Sequence, residues 1–217
     1  MEILGGIYNM ANVLFVKANN RPSEQAVSVK LYDAFVNAYK ANNPNDTITE
    51  LDLFAANLPY YDNDMMTGLY KQANGIEATA DEKKLADLAN GYLDQFLAAD
   101  KVVFAFPLWN FTIPAQLLTY LFYLNQAGKT FKYTAEGPVG LAGGKKVVIL
   151  NARGGVYSDG PMAQLEMSVN YVKNTLGFWG ITDVETVIVE GHNQFQDRAQ
   201  QIIEEGVAQA AKVAGGF

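Results

Sequence analysis

Val102-Val103-Phe104-Ala105-Phe106-Pro107-Leu108-Trp109-Asn110-Phe111 is the stretch on which the reading of this chain turns. Residues 102–106 are apolar on both faces of an extended segment, as a strand covered on both sides of a parallel sheet must be. Pro107 ends the run, and two large aromatics and an amide follow where a central strand would deliver its loop. Working toward the N-terminus, Asp81-Glu82 precede Leu85, Leu88, Tyr92, Leu93 and Phe96, a helical spacing whose acidic first turn suits the helix dipole. Toward the C-terminus, Pro114 suits the first turn of a helix carried by Leu117, Leu118, Leu121 and Phe122.

The same alternation extends outward. Val13-Leu14-Phe15-Val16 is a short apolar strand, Ala18-Asn19-Asn20-Arg21-Pro22 a loop of turn formers, and Val27, Leu31, Phe35 and Ala38 a helix. A second strand spans 47–53. Val147-Val148-Ile149-Leu150 is a fourth, broken by Gly154-Gly155 and followed by a helix through Leu165, Val169, Val172 and Leu176. A strand over 184–189 and a helix through Ala199, Ile202, Ile203, Val207 and Ala210 close the series. Residues 54–80, with Pro59, Gly68, Gly75 and no clear period, read as an excursion outside the sheet, and 128–144, with Pro138 and five of the chain's 19 glycines, as a hairpin-like insertion. Five β–α units in alternation predict an α/β fold, a parallel sheet with helices on both faces, in one domain over residues 10–217. Residues 1–9 lack the basic start and apolar run of a signal peptide and are expected to be a mis-assigned or disordered leader before a natural start at Met10.

Composition narrows the chemistry. With 217 residues and 49% hydrophobic content, one sizeable core is the default. There is no cysteine, which removes disulfides, iron–sulfur clusters and thiol nucleophiles, and a single histidine cannot build a multi-histidine zinc site, so no metal is expected. A net charge of -7 without a Lys/Arg cluster argues against a nucleic acid or an anionic membrane as partner. No apolar run reaches bilayer length, and the expected location is the cytoplasm.

In open sheets of this kind ligands sit beyond the carboxyl ends of the strands. The loop after the first strand offers Asn19, Ser23 and Ser28 at a helix start, where unpaired N–H groups favour an anion, or where Ser23 simply caps the helix. It matches neither G-x-G-x-x-G nor a P-loop. Trp109 and Phe111 are placed to clamp a flat ring while Asn110 bonds its polar rim; the competing reading is an aromatic core plug. At the next strand end, Asn151-Ala152-Arg153-Gly154-Gly155 offers glycines whose N–H groups approach acceptors closely, or a tight turn alone. Together the three loops supply an anion site, a planar clamp and a donor edge, in the order a flavin mononucleotide needs. His192, after Gly191 at a strand end, is read as a surface loop residue. With four serines and no G-x-S-x-G, a hydrolase triad is a poor alternative, and no acidic residue ends the strand at Phe106 as a signalling receiver requires.

From Met10 onward the sequence resembles the FMN-dependent NADH-azoreductases, or quinone reductases, of the flavodoxin-like fold. The likeness runs through residues 13–19, 107–111, Gly128-Lys129-Thr130-Phe131-Lys132-Tyr133-Thr134, Glu136-Gly137-Pro138, Arg153-Gly154-Gly155-Val156-Tyr157 and Leu176-Gly177-Phe178-Trp179-Gly180-Ile181. It implies a three-layer fold with strand order 2-1-3-4-5 and one noncovalent FMN per subunit. By resemblance the cofactor lies on Asn19, Ser28, Pro107, Leu108, Trp109, Asn110, Phe111, Asn151, Ala152, Arg153, Gly154 and Gly155, with Phe131, Tyr133 and Tyr157 at a substrate pocket. Ala26 stands where the family often has serine, so phosphate binding is expected to rely more on Ser28 and backbone amides. The implied reaction is ping-pong two-electron (hydride) transfer from NADH or NADPH to quinones and aromatic azo compounds, the flavin rather than an acid–base side chain carrying the chemistry. A flavodoxin-type electron carrier acting through protein partners is the alternative. The two excursions carry Tyr60, Tyr61, Met65, Met66, Tyr70, Phe131 and Tyr133, more apolar surface than a solvated loop should hold, and a homodimer with its active site at the interface is expected.

Overall fold

A computed structural model describes residues 10–217, so the expectation for residues 1–9 lies outside the described residues. Seven strands are present, β1 (Asn12–Lys17), β2 (Thr47–Asp52), β3 (Lys101–Pro107), β4 (Phe131–Thr134), β5 (Gly137–Gly140), β6 (Lys146–Arg153) and β7 (Asp183–Glu190). Five of them form a parallel sheet in the order β2-β1-β3-β6-β7, and β4 and β5 pair separately as an antiparallel hairpin. With the hairpin set aside, this is the expected order 2-1-3-4-5. The chain runs from β1 outward to β2 and then crosses to β3, so the crevice between β1 and β3 is the switch point.

The helices are α1 (Val27–Asn42), α2 (Asn63–Ala73), α3 (Ala80–Ala98), α4 (Ala115–Leu124), α5 (Val169–Phe178) and α6 (Ala199–Gly216). Alternation along each strand sorts the core into two layers. Val102, Phe104 and Phe106 of β3, with Val147 and Ile149 of β6, face Phe96, Leu117, Leu176 and Trp179. Val103, Ala105, Val148 and Leu150 face Phe35, Tyr39 and Ala210 on α1 and α6. Trp179 is fully buried, and its indole Nε1 donates to Asn125 Oδ1 at 2.8 Å. The hairpin docks on that tryptophan's backbone through Gly140, where a Cβ would lie 2.2 Å from Gly180 N. No helix among the described residues is long and apolar enough to cross a membrane.

Three details depart from the sequence reading. The 54–80 excursion contains α2, capped by Asp62, whose carboxylate accepts from Met65 N–H at 3.0 Å. Its period was hidden because it packs on α3 rather than on the sheet, burying little beyond Met65 and Gly68. The helix expected from Leu165 begins only at Val169; Leu165 closes a separate 3₁₀ turn, Gly160–Leu165, and Glu166 intervenes. Ser23 does not cap α1. It lies in a 3₁₀ turn, Ser23–Gln25, and the N-cap position is Ala26, with no side-chain cap.

Candidate functional site

The carboxyl ends of β3 and β6 are flush, Pro107 opposite Ala152, and Leu108 N–H continues the ladder to Ala152 C=O at 2.9 Å. Two clefts open above this floor. The first, of about 440 Å³, reaches from Pro107, Leu108, Trp109 and Ala152 to the start of α1 at Ala26, Val27 and Ser28. The second, of about 500 Å³, lies between Asn110 and Phe111 on one side and Gly155, Tyr157 and Gln194 on the other. Leu108, Gly154 and Asn193 line both, so they form one continuous groove.

At the α1 end, Asn19 and Ser28 are buried, and Asn19 Nδ2 donates to Ser28 Oγ at 3.0 Å. The hydroxyl proton of Ser28 is left free to donate. Asn19 Oδ1 accepts from Arg21 N–H at 3.0 Å, which fixes the loop before the helix. Since Ala26 supplies no cap, the N–H groups of Val27 and Ser28 have no acceptor among the described residues. Unpaired amides, the positive dipole end and a fixed hydroxyl fit a phosphate.

At the ring end, Trp109 and Thr112 exchange backbone hydrogen bonds at 2.9 and 3.0 Å, closing a two-residue turn. Asn110 and Phe111 both have positive φ, 47° and 70°, the signature of a type I′ turn. Asparagine tolerates this region, but a phenylalanine held there is strained, and such strain gathers at ligand sites. The turn presents Asn110 and Phe111 to the groove, and the Phe111 ring meets Tyr157 edge-on at 6.3 Å. Across from them the N–H groups of Gly154 and Gly155 are unengaged among the described residues. A Cβ at Gly154 would come 2.4 Å from Asn193 Nδ2, so a side chain there would displace the Asn193 amide from the groove wall. An anion cradle, an aromatic wall and free donors thus fit FMN.

Ten expected cofactor residues line the groove: Asn19, Ser28, Pro107, Leu108, Trp109, Asn110, Phe111, Ala152, Gly154 and Gly155. The side chains of Asn151 and Arg153 do not, because strand alternation turns them to the sheet face opposite Ala152. Asn151 is fully buried and donates to Phe106 C=O at 3.0 Å. Arg153 lies buried between Glu166 at 3.9 Å and Glu190 at 3.7 Å. Glu190 in turn accepts from the N–H groups of Tyr157 and Ser158 at 2.9 and 3.1 Å, so Arg153 acts on the groove through the loop that carries Tyr157. Tyr157 is at the ring end as expected. Phe131 is instead a core side chain against Phe178, with ring centroids 4.6 Å apart, and Tyr133 is exposed on the hairpin; neither lines the groove.

The sequence reading missed the loop after β7. His192, Asn193 and Gln194 line the groove, and His192 is half-buried there rather than a surface residue. Burial pushes its imidazole below the usual histidine range. The available signal is Gly191, a turn former directly after β7, at the same sheet edge as the other loops of the groove.

A family model described as the flavodoxin-like fold matches residues 11–214. An FMN-dependent NADH:quinone oxidoreductase of Brevibacillus brevis is 67% identical over 208 residues, 96% of this chain and all of that protein. The crystal structure of an azoreductase from Bacillus anthracis superposes with a TM-score of 0.93 at 62% identity, covering 96% of this chain and all of the other. A second Bacillus anthracis structure, an FMN-dependent NADH-azoreductase in complex with FMN, gives 0.83 at 31% identity over 94% of this chain and all of the other. Similarity this high over nearly the full length of both partners leaves one conclusion: the chain belongs to the flavodoxin-like family of FMN-dependent NADH-azoreductases and quinone reductases.

Proposed function

We infer that the protein is an FMN-dependent NAD(P)H oxidoreductase reducing quinones and aromatic azo compounds, with residues 10–217 as its single flavin-binding domain. The observation that carries this reading is continuity. Leu108, Gly154 and Asn193 are shared by the anion cradle and the aromatic cleft, so one phosphate-bearing planar ligand can occupy both. The names of the relatives support the same donor and acceptor classes.

FMN, when bound, would supply the two-electron (hydride) chemistry between a nicotinamide donor and the acceptor. The chain positions. Asn19 holds Ser28 so that its hydroxyl and the α1 amides bind the phosphate. Asn110 would bond the polar rim of the ring while Trp109 and Phe111 would pack against it. The free N–H groups of Gly154 and Gly155 would serve as fixed dipoles for the negative charge of a reduced flavin, stabilising it without reorganising. Tyr157 and Phe111 form an aromatic lip at the mouth of the groove, where a planar donor or acceptor would pack.

The same reading makes the protein a cytoplasmic homodimer. Tyr60, Met66, Tyr70 and Tyr133 are more than half exposed on the two excursions and suit an interface. Met65 and Phe131, by contrast, are buried in their own subunit, and Tyr61 packs on Phe122 and Tyr123.

The test is purification followed by flavin extraction and NADH oxidation. FMN rather than FAD is expected, because the groove has one anion cradle and no adenine-binding half. NADH should be consumed on addition of a menadione-type quinone. A protein that takes up no flavin overturns the reading, whereas a flavin-loaded protein with slow NADH oxidation favours the electron carrier.

A further inference from the structure

Helices α1 and α6 pack side by side on one face of the sheet, so the loop leading from β7 into α6 opens beside the first turn of α1. That loop carries His192, the single histidine. It lines the anion end of the groove with Ser28, Arg21 and Lys30, but not the ring end, to which the same loop sends Asn193 and Gln194. Its Nδ1 is shielded from solvent and has no hydrogen-bond partner among the described residues.

The backbone under His192 is fastened. Gly191 N–H donates to both Arg153 C=O and Gly155 C=O at 3.2 Å, and Asn193 N–H to Gly154 C=O at 2.9 Å. Gly191 itself has φ 81°, and a Cβ there would approach the Phe195 ring to 3.0 Å. The imidazole is therefore presented by two interlocked loops.

A ring with one nitrogen sealed and unpartnered has a restricted choice of forms. The imidazolium would bury both charge and an unpaired N–H, and the Nδ1–H tautomer would bury the N–H. The remaining form leaves a lone pair on Nδ1 and the proton on Nε2.

We propose that His192 is a cofactor-binding residue that donates Nε2–H, as a neutral imidazole, to the phosphate end of the flavin, completing from the α6 side the cradle begun by Asn19, Ser28 and the α1 amides. The proposal rests on the FMN reading above. It fits the lack of a side-chain cap at Ala26, which leaves the first N–H groups of α1 unpaired beside His192 at that end of the groove. Arg21, Lys30 and Glu24 are the charged groups lining the same end. No carboxylate is bonded to His192, and burial lowers its pKa in the flavin-free chain.

Titrating the flavin-stripped full chain with FMN and with riboflavin, followed by flavin fluorescence, separates the possibilities. His192→Ala should raise the FMN Kd about tenfold, the loss of one hydrogen bond to a charged group, and leave the riboflavin Kd unchanged. His192→Gln, whose amide can donate, should recover most of the FMN affinity. Nitrogen-15 NMR of the wild-type imidazole with FMN bound should show the Nε2–H tautomer at neutral pH, a readout that needs no variant to fold. Equal losses for both flavins, or no loss for either, would overturn the proposal, as would an imidazolium or an Nδ1–H tautomer. Wild-type protein that binds neither flavin overturns the FMN reading and this proposal with it, whereas flavin binding indifferent to His192 overturns this proposal alone.

Discussion

On the FMN reading Asn110 has two duties that a single alanine substitution would confuse, since it would offer an amide to the ring and it also holds a φ of 47°. Asn110→Gly separates them, because glycine accepts the backbone and removes only the amide. The FMN affinity of that variant should fall by about 1–3 kcal/mol, the cost of an unpaired buried partner, with little change in the urea midpoint. An unchanged flavin titration would assign Asn110 to the turn alone. The groove residues were legible in sequence wherever the chemistry lay in a short contiguous loop, as in residues 107–111. They were misread where the direction of a side chain mattered. Arg153 and Ala152 are adjacent in sequence yet face opposite sides of β6, and only the strand register decides which one meets the ligand. His192 was missed because a lone histidine in a loop shows neither what surrounds it nor what it lacks.

Glu166 shows how an element is started by a carboxylate outside it. Burial would raise its pKa, but the Ser168 hydroxyl, the N–H groups of Asn170 and Val169 at the start of α5, and the Arg153 charge together hold it below the usual carboxylate range. Its contribution to stability is thus fully present above the unfolded value of about 4.3 and is lost as pH falls through the lower folded value. Glu166→Gln should therefore flatten the acid limb of stability against pH, measured as urea midpoints between about pH 5 and 3, relative to the wild type. Identical slopes would show that other carboxylates set the acid limb. At α2, Gly68 lets the helix approach α3 so closely that a Cβ would lie 2.2 Å from Glu82 C=O. Gly68→Ala should destabilise, because overpacking of about 1–3 kcal/mol exceeds a propensity gain of at most about 1 kcal/mol. A raised melting temperature would show that the helix pair can part at little cost. The central strands β1, β3 and β6 were legible because strands buried on both faces carry an unbroken apolar signature. α2 was not, since a short helix docked on another helix buries too few positions to display a period.

For the molecule as a whole, the exposed Tyr60, Met66, Tyr70 and Tyr133 lead to a testable assembly. If they meet across a two-fold axis, light scattering should give a dimer, and dilution below its dissociation constant should release FMN and lower specific activity together. A monomer that keeps its flavin and full turnover would refute the shared interface while leaving the cofactor assignment standing. The bond between Leu108 N–H and Ala152 C=O has a further consequence at this scale. That bond is main chain, which a substitution leaves in place, whereas the lip is made of the side chains of Phe111 and Tyr157, which a substitution exchanges. On the FMN reading, exchanging the lip would alter which electron acceptors fit while that stretch of the flavin's seat keeps its shape.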